Sequence, residues 1–151
     1  MRDKVLADAR ELGLDLTVER LEASTRTVRD AAQAVGCQEA QIAKSIVFIA
    51  DGDPVICVAS GEHRVDLDKL ADALDVAEVR QAGPDEVRAA TGFAVGGVPP
   101  FANGLPVVFD EALLRHERVW AAGGDAQSLF CVDPRELVAC TEAQTAEIAA
   151  V

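Results

Sequence analysis

Ile46-Val47-Phe48-Ile49-Ala50-Asp51-Gly52-Asp53-Pro54-Val55-Ile56-Cys57-Val58-Ala59 is the stretch whose reading decides the fold. Two apolar runs, Ile46–Ile49 and Val55–Ala59, flank Asp51-Gly52-Asp53-Pro54, a tetrapeptide of turn-forming residues. The pattern predicts a β-hairpin. Neither run alternates apolar with polar residues, so both strands are expected to be buried on both faces. Lys44 stands immediately before the first strand.

Upstream, Val5, Leu6, Ala9 and Leu12 recur at helical spacing over Asp3–Leu12, and Gly13 is a plausible stop. Leu14–Ala23 is ambiguous, because Leu14, Leu16 and Val18 alternate before a charged segment. A second helix is expected over Val28–Val35, capped by Ser24-Thr25 or by Thr27 and closed by Gly36. Gln38–Ile42 reads as a short helical turn. Downstream, Ser60–Arg64 is a loop, and a helix follows over Leu67–Leu74, started near Asp66. Val76–Val79 reads as a short strand. Pro84, with Asp85 and Glu86 behind it, opens a helix that runs to about Thr91. Leu105–Phe109, Val119–Ala122 and Leu129–Val132 are strand-like. Asp110 caps a short turn, and Asp133-Pro134 starts a last helix over Arg135–Cys140. The tail Thr141–Val151, rich in Ala, Thr and Glu, is expected to be loosely held. Helices mixed with hairpin-linked strands imply an α+β domain with a mixed sheet rather than a βαβ repeat.

The chain of 151 residues fits a single domain, 1–151, with a real core. Aromatic residues are only 4%, so Val, Leu, Ile and Ala must build that core. No apolar run approaches the roughly 18 residues of a membrane span. The charged N-terminal segment has no signal-like apolar region, so a cytoplasmic location is expected. Cysteines at 37, 57, 131 and 140 form no C-x-x-C pair, and only His63 and His116 could join them, so neither a zinc site nor a disulfide framework is implied. A formal charge of −12 argues against nonspecific gripping of phosphate backbones.

Thr91–Gly104, TGFAVGGVPPFANG, fits neither helix nor strand. Gly96-Gly97 gives conformational freedom and close approach, whereas Pro99-Pro100 fixes φ and removes donors. The result is a loop of defined shape, with the N–H groups of Gly96, Gly97 and Val98 expected to be free for a carbonyl or phosphate oxygen. It matches no dinucleotide or P-loop signature, and composition alone leaves a tight connection equally acceptable. Lys44 can aim a point charge into a pocket, but a lone lysine at a strand is more often an edge guard. Gly123-Gly124-Asp125 with Ser128 reads chiefly as a turn. Arg64 could meet a phosphate. His63 could act as acid or base, although a solvated loop is the plainer reading. No nucleophile signature accompanies it.

Taken in order, Ala43-Lys44-Ser45-Ile46-Val47-Phe48, the V-A-S-G-x-x-R-V-D-x-x-K-L run from Val58 to Leu70, T-G-x-x-x-G-G-V-P-P-F from Thr91 to Phe101 and Ala122-Gly123-Gly124 resemble the YbaK-like family. This domain also occurs inserted in bacterial prolyl-tRNA synthetases. The resemblance spans roughly Ser24 to Leu137, a core of about 24–140. It implies a barrel-like mixed sheet surrounded by helices, and an aminoacyl-tRNA deacylase that clears mischarged tRNA-Pro. It also implies roles: Lys44, Gly96 and Gly97 in catalysis, and Ser45, Arg64, Val98, Pro99, Pro100, Gly123, Gly124 and Ser128 in binding the acceptor end. It implies no metal and no cofactor. The sequence departs from the Cys-tRNA-specific branch, with Gly-Gly-Asp-Ala-Gln-Ser where that branch has Gly-Lys-Arg-Gly, and Lys-Ser for Lys-Thr.

An aminoacyl ester is already activated, so no strong nucleophile or metal is required: water or the adenosine's own 2′-hydroxyl can act once the ester is positioned and its oxyanion stabilised. These departures favour a free-standing editor of a small residue such as alanine. The acidity implies weak recognition of the acceptor end, helped by prolyl-tRNA synthetase or an elongation factor. A binding module without turnover, a Cys-tRNA-Pro deacylase and a hydrolase of small acyl esters are the alternatives.

Overall fold

The computed structural model describes residues 1–22 and 27–150. In chain order its elements are α1 (Arg2–Glu11), β1 (Val18–Arg20), α2 (Val28–Val35), β2 (Ile42–Ala50), β3 (Asp53–Ser60), α3 (Leu67–Leu74), β4 (Val79–Gln81), α4 (Pro84–Thr91), β5 (Val107–Asp110), β6 (Val119–Ala122), β7 (Ser128–Val132), α5 (Pro134–Thr141) and β8 (Gln144–Ala146). Single 3-10 segments, Glu39–Gln41 and Glu111–Arg115, precede β2 and follow β5.

β2 and β3 form the expected antiparallel hairpin, with Ile46 opposite Cys57 and Val47 opposite Ile56. Asp51 and Gly52 take the left-handed conformation at φ 46° and 89°, which a tight hairpin turn requires. The Asp51 carboxylate accepts the N–H groups of Ala77 and Glu78 at 3.1 and 2.9 Å, tying the turn to the entry of β4. Successive side chains point to opposite faces. Val47, Ile56 and Val58 enter one core, together with Val5 and Ala9 of α1, Val87 of α4 and Leu137 of α5. Phe48, Val55, Cys57 and Ala59 enter a second core on the other face, with Leu70 of α3 and Ile148. The unbroken apolar runs thus belong to a strand pair covered on both sides.

The sheet order is β1-β7-β6-β2-β3-β5-β8, with β4 on β2 off that path. β6 lies parallel to β2, β5 parallel to β3 and β8 parallel to β5, while β6 and β7 form a second hairpin. The sheet is therefore mixed and surrounded by helices, as expected. No ladder joins β1 to β8 among the described residues, so it is open rather than closed. No helix among these residues is long and apolar enough to cross a membrane.

Local chemistry sets the helix ends. Thr27 Oγ1 accepts the Asp30 N–H at 3.0 Å and starts α2; the alternative cap, Ser24-Thr25, lies outside the described residues. Asp66 and Asp133 cap α3 and α5, and Pro84 and Pro134 occupy the first turns of α4 and α5.

Several boundaries differ from the sequence reading; the strand read from Leu105, for one, begins at Val107. The ambiguous Leu14–Ala23 contributes β1, paired to β7. The strand expected at Val76–Val79 begins at Val79, because Ala77 and Glu78 are held by Asp51. β2 begins at Ile42, so Lys44 lies within the strand, opposite Ala59, rather than before it. Up to Ala150 the tail is not loose. β8 extends the sheet beside β5, Ile148 is fully buried, Ala150 N–H donates to the Arg64 carbonyl, and Lys69 bonds Glu147 and the Ala149 carbonyl. Sheet pairing and one buried isoleucine override weak strand propensity here.

Ile148→Ala is expected to destabilise the fold by about 2–5 kcal/mol. Denaturant unfolding checks this; a loosely held tail would give almost no change.

Candidate active site

β2 pairs with β3 along its whole length, but its other edge is shared. Ile42 and Ala43 pair with Trp120 and Ala121 of β6, and Phe48–Ala50 pair with β4. The Val47 carbonyl accepts the Ala82 N–H, extending the second ladder by one bond. Residues 44–46 lie in neither ladder, so the sheet splits at Lys44 and Ser45. A cleft of ≈ 90 Å³ opens there, bounded by α2, by Ala122 and Leu129, and by Gly96 and Val98 of the glycine–proline loop.

That loop is anchored by its own apolar residues. Phe93, Val98 and Phe101 are buried in the first core, and the Phe101 ring centroid lies 6.2 Å from that of Phe130. Thr91 Oγ1 donates to the Val87 carbonyl at 2.7 Å and accepts the Phe93 N–H at 3.0 Å, turning the chain out of α4. Gly96, at φ 91°, is exposed at the cleft. The Gly97 N–H closes a turn to the Ala94 carbonyl at 3.0 Å, so it is not free as expected. Among the described residues the N–H groups of Gly96 and Val98 have no partner.

Gly97 serves another purpose. A Cβ there would stand 2.7 Å from the Gly124 carbonyl oxygen, so the two glycine elements meet backbone to backbone. Gly123 is held by its N–H to the Ser128 carbonyl at 2.7 Å, and a Cβ on it would meet Val18 at 2.7 Å. Gly124 adopts φ 108°. Both are buried frame residues behind the cleft. Ser128 is also fully buried, on β7, and does not line it; Pro99 and Pro100 are buried behind Val98.

Lys44 and Ser45 are the polar side chains of the split strand. The Ser45 hydroxyl is buried without a hydrogen-bond partner among the described residues, and Ser45 lines the cleft. Such a group is favourably placed to bond a ligand, since leaving it unpaired costs free energy. Lys44 is part-buried. Desolvation lowers its pKa below the ordinary lysine value, and Arg64 lowers it further, while Cys57 and Asp110 oppose the shift. Arg64 is exposed at the end of the β3–α3 loop and acts on Lys44 through its charge.

His63 corrects its sequence reading. Its Nδ1 lies 2.8 Å from Oδ2 of the buried Asp110, so it is not merely a solvated loop residue. Asp110 was legible only as a cap. It does cap the 3-10 segment through Ala112 N–H, but it also accepts the Ser60 N–H at 3.0 Å. A buried carboxylate at a strand end, 47 residues from its histidine, carries no short sequence signal. Burial, with Asp110 beside it, pushes the Cys57 thiol up to about 12, which leaves no thiolate to act as nucleophile. Among the described residues no three His, Cys, Asp or Glu side chains are grouped to hold a metal.

Residues 22–140 match the aminoacyl-tRNA editing domain. The chain belongs to this family. It is 37% identical over 123 residues to the uncharacterized protein YwhH of Bacillus subtilis (strain 168), covering 80% of this chain and 78% of that one. It is 33% identical over 110 residues to the proline–tRNA ligase of Acidithiobacillus ferrooxidans (strain ATCC 53993), covering 71% of this chain but 19% of the ligase. A crystal structure of a protein proposed as a trans-editing enzyme for prolyl tRNA synthetase superposes with a TM-score of 0.93 at 43% identity, covering 99% of this chain and 97% of that one. The YbaK-like resemblance is thus a shared fold and family, over nearly the whole chain.

Two substitutions separate frame from lining. Gly97→Ala forces a side chain onto the Gly124 backbone and is expected to destabilise by about 1–3 kcal/mol, read by thermal unfolding. Ser45→Ala removes an unpaired buried hydroxyl, so the same thermal unfolding is expected to show stability held or raised.

Proposed function

We propose that this editing domain is an aminoacyl-tRNA deacylase acting in trans on mischarged tRNA-Pro, with alanine the foremost residue removed. The observation that carries the reading is the split of β2. It places Lys44 and Ser45, whose hydroxyl has no partner among the described residues, on the lining of a small cleft shared with Gly96 and Val98, whose N–H groups are unpaired. The similarity to a prolyl-tRNA synthetase insertion and to a proposed trans-editing enzyme supports the tRNA-Pro assignment.

In this scheme Lys44 anchors the terminal phosphate or ribose, where a compact charge on a rigid strand loses little on binding. The N–H groups of Gly96 and Val98 receive the ester carbonyl and stabilise its oxyanion as water attacks the acyl carbon, leaving its hydroxyl on that carbon and its proton for the ribose oxygen. The bond between acyl carbon and ribose oxygen breaks, and the ribose oxygen leaves as a hydroxyl after gaining a proton. The ester is already activated, so this scheme requires neither a protein nucleophile nor a metal. Selectivity comes from the cleft walls. One methylene is worth only about 1–3 kcal/mol in an apolar pocket, so exclusion of proline rests on steric refusal. Arg64, exposed on the loop after β3, is assigned to a phosphate. Gly123, Gly124, Pro99, Pro100 and Ser128 act through the frame. With a charge of −12, the protein meets tRNA weakly and is served by prolyl-tRNA synthetase or an elongation factor in the cytoplasm.

Lys44→Ala is expected to reduce deacylation of Ala-tRNA-Pro by about 10²–10³-fold with the fold intact. Lys44→Arg should not restore it, because a planar guanidinium replaces a point charge. Single-turnover release of labelled alanine measures both. Full activity in the alanine variant refutes the role of Lys44, and acceptor-end binding without release of any amino acid identifies a binding module instead.

A further inference from the structure

The run from Val58 to Leu70 holds a glycine that the scheme above leaves unused, Gly61. Its backbone conformation does not demand glycine, because its φ lies outside the left-handed region. Space demands it. A Cβ on Gly61 would run into the Glu39 carbonyl oxygen, stand 2.5 Å from Cγ1 of Val28 and reach 3.2 Å from Cβ of Ile42. Helix α2, the 3-10 segment before β2, and β2 itself therefore converge on one position without a side chain.

Two hydrogen bonds hold the meeting point. The Gly61 N–H donates to the Ile42 carbonyl at 2.7 Å, and Ser60 Oγ donates to the Ala40 carbonyl at 2.9 Å. The end of β3 is thus pinned to the start of β2 and to the segment that joins β2 to α2. Val28 and Ile42, the side chains that press on Gly61, both line the cleft. Val28 stands at the start of α2. A valine in a helix keeps one strongly preferred χ1 rotamer, so it does not swing aside when pushed. Close-packed side chains pass such a push on. Val28 borders Gly61 on one side and the cleft on another, so a push from position 61 moves its methyl groups toward the cleft.

We infer that Gly61 is a positioning residue for the cleft: by carrying no side chain it seats α2 at the depth that keeps Val28 and Ile42 clear of the acyl group. This rests on the proposed deacylase reading and places a determinant of cleft width behind the lining rather than in it. On the α2 wall Gly61 is the counterpart of the Gly97–Gly124 contact behind the glycine–proline loop. Neither wall can be thickened from behind without moving what lies in front.

The test compares kcat and KM for glycyl-, alanyl- and 2-aminobutyryl-tRNA-Pro, a series that adds one carbon at a time, with rates taken per folded molecule from thermal unfolding. Gly61→Ala is expected to raise KM for the alanyl substrate by at least about tenfold relative to the glycyl one, with kcat changed by less than about threefold. A glycine needed only for folding would lower the folded fraction and leave the glycyl-to-alanyl ratio unmoved. Val28→Ala removes the atom that meets position 61 and should raise kcat/KM for the 2-aminobutyryl substrate relative to the alanyl one by about tenfold. Adding Gly61→Ala to it returns a methyl group to that space and should bring the ratio back to within about threefold of wild type. An unchanged glycyl-to-alanyl ratio in folded Gly61→Ala, or a double variant that keeps the ratio of Val28→Ala, overturns the inference. If Gly61→Ala alone does not fold, the comparison of Val28→Ala with the double variant decides. Wild-type protein that releases no acyl group refutes the proposed function instead. The Val28 methyl resonances of isotope-labelled protein then decide, and signals unmoved by Gly61→Ala overturn the inference.

Discussion

The backbone of β2 is the constraint on which the rest depends. A central strand must satisfy hydrogen bonds on both edges, and here one edge is served by two strands that approach from opposite ends. Parallel β6 and antiparallel β4 cannot meet without a gap. The gap falls at Lys44 and Ser45, and the glycine–proline loop closes over it with Gly96 and Val98. The site is therefore a consequence of how the sheet is wound. Its polar groups sit on a strand paired on both edges, and such rigid elements hold side chains more precisely than loops do.

Much of this was legible in the residues. Continuous apolar runs around Asp51–Pro54 announced a hairpin buried on both faces, and the two cores on its two sides are the reason. Caps at Thr27, Asp66 and Asp133 marked helix starts because short polar side chains compete for the first free N–H groups. What escaped was set by distant partners. β8 is three residues of Gln-Thr-Ala that become a strand only because β5 offers an edge. The spent N–H of Gly97 follows from a local turn that composition does not specify.

The candidate site divides in the same way. Lys44, Ser45, Gly96 and Val98 could be named from the order of motifs, and the cleft brings them together. Gly123, Gly124, Ser128 and the two prolines were also singled out, yet they stand behind the wall. A glycine required for backbone approach and one required for ligand approach look alike in a sequence. His63 and Asp110 escaped for the opposite reason: each looked ordinary alone, and only the β3–β5 ladder brings them within 2.8 Å.

The contact between Gly97 and Gly124 separates what can vary from what cannot. Two loops far apart in the chain touch without side chains, so neither tolerates a larger residue unless the other retreats. The lining residues Val28 and Ala122 are only part-buried and carry no such obligation. The pocket can therefore be reshaped one side chain at a time while its walls keep their spacing. A domain built this way can change the shape of its cleft without relearning how to fold.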